Sequence, residues 1–136
     1  MPMNRRGFTL TEIMIVIMIV GIIAGIAAPP LFRYVASNRL QTQTDRLAAD
    51  LQYARTLAVS TNTTVRFTST EGGYNVLNAA GEVIRERELK HGLGLGAEQN
   101  ANFYPWGQAD AQVFNLSNST GTRTVNLMPT GIVEVH

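Results

Sequence analysis

From Ile13 to Ala28 the chain reads IMIVIMIVGIIAGIAA, with no charged or hydrogen-bonding side chain anywhere in it. Extended back to Phe8, the run is about twenty residues, enough helix at 1.5 Å per residue to cross a hydrocarbon layer of about 30 Å. Arg5 and Arg6 stand just before it, which predicts an N-terminus held on the cytoplasmic side with the rest of the chain beyond the inner membrane. Inside the front of the run lies one acid, Glu12. An ionisable group at such depth costs at least a few kcal/mol and usually marks function.

Three readings compete for this segment. A cleaved secretory signal needs a shorter apolar region and a small-residue cleavage site, which GIAGIAAPP loosely supplies. A plain membrane anchor needs only the length. Neither accounts for Glu12. A carboxylate reaching back to the headgroups is the simplest structural account of it. Pro29 and Pro30 follow, and because proline removes a backbone donor and clashes with the previous turn, the pair predicts a kink or a locally extended segment.

Beyond the prolines, Leu40, Leu47, Leu51, Ala54 and Ala58 recur at spacings that place them along one helical stripe. Arg39, Gln41, Gln43, Asp45, Arg46, Asp50, Gln52 and Arg55 are assigned to the other, polar faces of this amphipathic helix, which Asn62 ends. The heptad-like stretch is too short to favour a coiled coil over packing on a sheet. Alternation then takes over in TVRFTS, GYNVLN, EVIRERELK, QVFNLS, RTVNLM and GIVEVH, each a predicted strand, with glycine-rich and Asn/Pro turns between them. The inward set is expected to be Val65, Phe67, Tyr74, Val76, Val83, Leu89, Val113, Leu116, Val125, Leu127, Ile132 and Val135. HGLGLGAEQNANFYPWGQAD is read as one long loop, its aromatic tip from Phe103 to Trp106 either a subunit contact or a cover for the sheet. The fold class is therefore α+β: a long N-terminal helix, transmembrane then amphipathic, packed on a small, mostly antiparallel β-sheet domain.

With 136 residues, one small domain remains after the apolar segment, too little for a large catalytic core with a deep cleft. No cysteine is present, so disulfides, thiolate metal sites and cysteine nucleophiles are excluded together. His91 and His136 lie far apart, the acids lack metal-ligand spacing, no serine sits in a nucleophile elbow, and no G-x-G-x-x-G phosphate loop occurs. Neither a catalytic site, a cofactor nor a metal is expected. The alternating Arg85 to Leu89 run is expected to be a solvated strand face. Eleven basic residues against 10 acidic ones leave no global attraction for nucleic acid; without Arg5 and Arg6 the balance is −1. The sequons at Asn62, Asn115 and Asn118 are read as coincidence.

RRGFTLTEIMIVIMIVGIIAGIAAPP resembles the N-terminus of type IV pilins and of the pilin-like subunits of type II secretion systems: a basic leader, a glycine, a phenylalanine, a glutamate fifth after the cut, then an apolar helix. Thr11 departs from the aliphatic residue more usual there. The resemblance implies three segments, a leader over 1–7, an assembly helix over 8–30 and a pilin domain over 31–136. It implies cleavage between Gly7 and Phe8 by a prepilin peptidase, with methylation of the Phe8 amine. Glu12 would pair with that amine, on its own chain or on a neighbour, and so set register during assembly. Pro29 takes the place where the family helix bends or melts, and Pro30 is an addition. LAADLQYARTLAVSTNTTVRF is also similar to the GspH/FimT branch of minor pilins and pseudopilins, with Leu51, Ala54, Arg55, Ala58, Asn62 and Val65 in the matching places. Implied partners are other pilin subunits, the peptidase and an inner-membrane assembly platform. Some relatives capture DNA through arginines near the C-terminus, but here only Arg123 is near and none follows Gly131, which argues against nucleic acid as a partner. A major pilin is the other alternative.

Overall fold

The computed structural model describes residues 8–136. Helix α1 spans Leu10–Thr61, and its assignment runs unbroken over Pro29 and Pro30. The chain divides into two units that meet between Val35 and Ala36. In the first, large apolar side chains are exposed on every side of the helix, from Ile13 through Ile26 to Tyr34. A helix apolar all round has no face for water, so it belongs inside other apolar matter.

In the second unit α1 has a single buried stripe. Leu40, Thr44, Leu47, Leu51, Ala54 and Ala58 are each at most 5% exposed, spaced four, three, four, three and four apart. Thr44 joins this stripe because its hydroxyl donates to the Leu40 carbonyl (2.7 Å), so no polar hydrogen is left bare. Asn62 takes a left-handed conformation, φ 52°, immediately after the helix. Its N–H donates to the Val59 carbonyl and that of Thr63 to the Ala58 carbonyl, the paired bonds of a Schellman cap.

Eight strands follow: β1 (Val65–Thr70), β2 (Gly73–Leu77), β3 (Val83–Glu88), β4 (Gly94–Leu95), β5 (Gln99–Phe103), β6 (Gln112–Asn118), β7 (Gly121–Leu127) and β8 (Val133–Val135). They form two four-stranded sheets, β3-β2-β1-β5 and β4-β6-β7-β8, with every pairing antiparallel. The six predicted strands are present, but the expected single sheet is two. The two sheets and the α1 stripe share one core, joined by Phe67 of β1 against Phe114 of β6, ring centroids 5.1 Å apart and edge to face.

The expected long loop contains β4 and β5. In β5, Ala101 and Phe103 are fully buried while Asn100 and Asn102 turn away, with Ala101 opposite Phe67. Three Asn/Gln residues in five mask the alternation, because amide side chains have low strand propensity. Four expected core residues are exposed instead: Val83 (52%), Val113 (48%), Ile132 (50%) and Val135 (37%). Phe114 and Leu116 face inward, so period 2 turns Val113 outward. Arg85 stands opposite Val76, and a register shift between Val76 and Leu77 then sets Val83, in place of Ile84, opposite the half-buried Leu77.

Candidate functional site

Gly7 lies outside the described residues; Phe8 is the first of them and is exposed. Thr9 caps α1: its hydroxyl oxygen accepts the Glu12 N–H at 3.3 Å and its carbonyl accepts the N–H groups of Glu12 (3.1 Å) and Ile13 (3.3 Å). Thr-x-x-Glu is the spacing of a capping box, a signal visible in the sequence that the reading of Glu12 as a partner for an amine passed over. A carboxylate in the first turn also meets the positive end of the helix dipole. Glu12 and Arg33 are the only charged side chains between 8 and 35. At 1.5 Å per residue they bracket roughly 30 Å of uncharged helix, about one hydrocarbon thickness. A window of this helix has mean hydropathy 2.6 with none of it buried inside the chain.

Asp50 is not on a solvated face. Only 3% exposed, it accepts hydrogen bonds from the Tyr74 hydroxyl (2.8 Å), from Arg87 Nε (3.3 Å) and from Arg85 Nη1. Alternation in β3 puts Arg85 and Arg87 on the same side, where they reach the helix. Arg85 also lies over the Tyr53 ring, 4.1 Å from its centroid. Burial, and then the bond to Asp50, push the Tyr74 phenol well above its ordinary pKa. The same bond to Asp50 raises Arg85. A buried carboxylate without cations is costly, so the expected solvated run at Arg85 to Leu89 instead supplies the charges that Asp50 requires.

Arg55 ties the helix to two turns. Its Nε donates to the Gly107 carbonyl at 2.9 Å, and Gly107 and Gly131 both have positive φ, 86° and 75°. A Cβ on Gly131 would run into the Gly107 carbonyl oxygen and the Arg55 side chain. Gly131→Ala is therefore expected to destabilise the domain by at least about 1–2 kcal/mol from the left-handed backbone alone. A shift of the denaturation midpoint would measure it; an unchanged midpoint would remove this role for the Gly107–Arg55–Gly131 contact. Alongside, Tyr104 and Trp106 stack at 5.0 Å with planes 7° apart. Asp110 accepts the Tyr104 hydroxyl at 3.1 Å and raises its pKa. Phe103 covers the sheet from within the core, while Trp106 at the tip stays 68% exposed.

Among the described residues no three His, Asp or Glu side chains converge on a common point. The described residues present an uncovered apolar helix with a capped, acidic start and a compact sheet domain.

Comparison with known proteins agrees with that division. A family model described as type II transport protein GspH matches residues 43–131, and one described as the prokaryotic N-terminal methylation motif matches residues 2–28. No curated protein matches the chain significantly. Among solved structures the fold is similar to that of the type IV minor pilin FimU of Pseudomonas aeruginosa strain PAO1. In one crystal form the TM-score is 0.63 at 20% identity, covering 76% of this chain and 92% of that one. In a second the TM-score is 0.59 at 20% identity, covering 71% and 91%. An N-terminal methylation motif ahead of an apolar helix, a helix-and-two-sheet domain and a family match over most of that domain lead to one assignment: the chain belongs to the GspH family of pilin-like proteins.

Proposed function

We propose that this protein is a structural subunit, a minor pilin or pseudopilin, of a type IV pilus or a type II secretion pseudopilus. The observation that carries this reading is the first unit of the chain, whose large apolar side chains are all exposed from Phe8 to Val35. Such a surface is covered first by lipid and later by the helices of other subunits. In this reading a prepilin peptidase cuts between Gly7 and Phe8 on the cytoplasmic face and the new amine of Phe8 is methylated. Glu12 then pairs with such an amine. The sheet domain lies outside the inner membrane, and Pro29 and Pro30, which take hydrogen-bond donors from the Gly25 and Ile26 carbonyls, give the helix a point of flexibility during packing.

Mass spectrometry of filaments sheared from the cell surface tests this. The expected result is a peptide beginning at N-methylated Phe8, present at trace level beside a dominant pilin. A chain confined to the membrane fraction with Met1 to Gly7 still attached would overturn the proposal in favour of a plain anchor, and the same peptide as main component would make the protein a major pilin.

A further inference from the structure

Strand β3 is held to the domain in an unusual way. None of its six residues is buried, and its two apolar side chains, Val83 and Ile84, are 52% and 40% exposed. It is also one of the two edge strands of its sheet. Removing it from the domain would uncover little apolar surface of its own, so the hydrophobic contribution that retains a central strand such as β1 is nearly absent here. The ladder to β2 is itself interrupted by the register shift between Val76 and Leu77.

Besides that ladder, what fastens β3 is the contact made by Arg85 and Arg87 with Asp50. Both guanidinium groups, partly exposed on one face of β3, meet a carboxylate on α1 that the Tyr74 hydroxyl of β2 also holds. Three elements are thus tied at one acid. The segment has definite ends as well. On one side is the turn at Asn78, whose side-chain oxygen accepts the N–H groups of Ala80 (3.0 Å) and Glu82 (2.9 Å), with Gly81 at φ 83°. On the other, Leu89 returns to the core at 9% exposure and donates its N–H to the Gly72 carbonyl at 2.8 Å.

From this geometry we infer that residues 78–88 form a latch, closed by the Asp50 clasp, which opens as a unit between its two hinges while the core strands stay paired. The inference does not rest on the filament reading. It separates two roles for the clasp: a general brace for the core, which would protect all strands alike, and a local fastening, which protects β3 alone.

Hydrogen exchange read by mass spectrometry on the full chain in detergent micelles distinguishes them. Two variants are compared with the natural chain, Asp50→Asn and the double substitution Arg85→Gln with Arg87→Gln; the second alters partly exposed side chains and keeps the test open where the first fails to fold. The expected result is exchange of the β3 amides faster by about ten-fold or more in both, with β1 and β6 amides unchanged. Two outcomes would overturn the latch: β3 exchange at the natural rate in a folded variant, or a proportional loss of protection in β1 and β6.

Discussion

Replacing Phe67 with alanine is expected to lower the stability of the sheet domain by about 3–5 kcal/mol. Phe67 is fully buried on β1, the strand between β2 and β5. Its ring meets Tyr74 at 5.2 Å within its own sheet and Phe114 at 5.1 Å across to the other. Truncation therefore removes both the transfer free energy of the ring and the contacts that join the two sheets, and the surrounding backbone, paired on both sides of β1, has little freedom to close the void. Against a total stability of about 5–15 kcal/mol for a domain of this size, such a loss is severe. Chemical denaturation of the full chain in micelles, followed by near-ultraviolet circular dichroism, would measure it. A loss below about 1 kcal/mol, no more than an average point substitution, would show that the sheets do not depend on this contact.

Glu12→Ala is expected to leave peptidase cleavage intact and to reduce incorporation into filaments by about ten-fold or more, because an amine left without its counter-charge in apolar surroundings is costly. The structure adds a control for this prediction. Thr9 and Glu12 also stand in capping relation, so part of any defect could come from a frayed first turn. Thr9→Ala removes the cap and keeps the acid; a cap is worth about 1 kcal/mol. If Thr9→Ala and Glu12→Ala reduce incorporation equally, Glu12 acts through helix capping and the charge-pair proposal fails. If Thr9→Ala assembles normally while Glu12→Ala does not, the acid acts through its charge.

Several elements were legible from residues alone, and they share a property: their signal is local and periodic. The apolar helix is a matter of length and composition. The stripe Leu40 to Ala58 repeats at helical spacing, and all of its members are buried. Asn62 was read correctly as the end of the helix, since a left-handed residue is needed there and asparagine tolerates it. The strands β1, β2, β6 and β7 alternate plainly. The assignment of Val113 to the core failed against that same rule, because Val113 and Leu116 are an odd number of positions apart and a regular strand cannot turn both inward.

What only the tertiary structure decided depends on partners distant along the chain. Strand β5 has a weak alternation of its own, and its place follows from the free edge of β1 that it pairs with 30 or more residues away. Asp50 reads as one more polar residue on an amphipathic helix. It is a buried clasp only because β2 and β3 return Tyr74, Arg85 and Arg87 to it from 24, 35 and 37 positions further on. Periodicity places a side chain on a face, but whether that face meets water, a sheet or an opposite charge is set by chain reversals that no short window contains. The sequence by itself therefore determined the membrane-length helix, the match to an N-terminal methylation motif and the alternating strands, each a property of neighbouring residues. The division into two sheets, the inward Asn-rich strand and the three-donor clasp arose from packing between distant segments, where burial turns an ordinary surface charge into a requirement for partners.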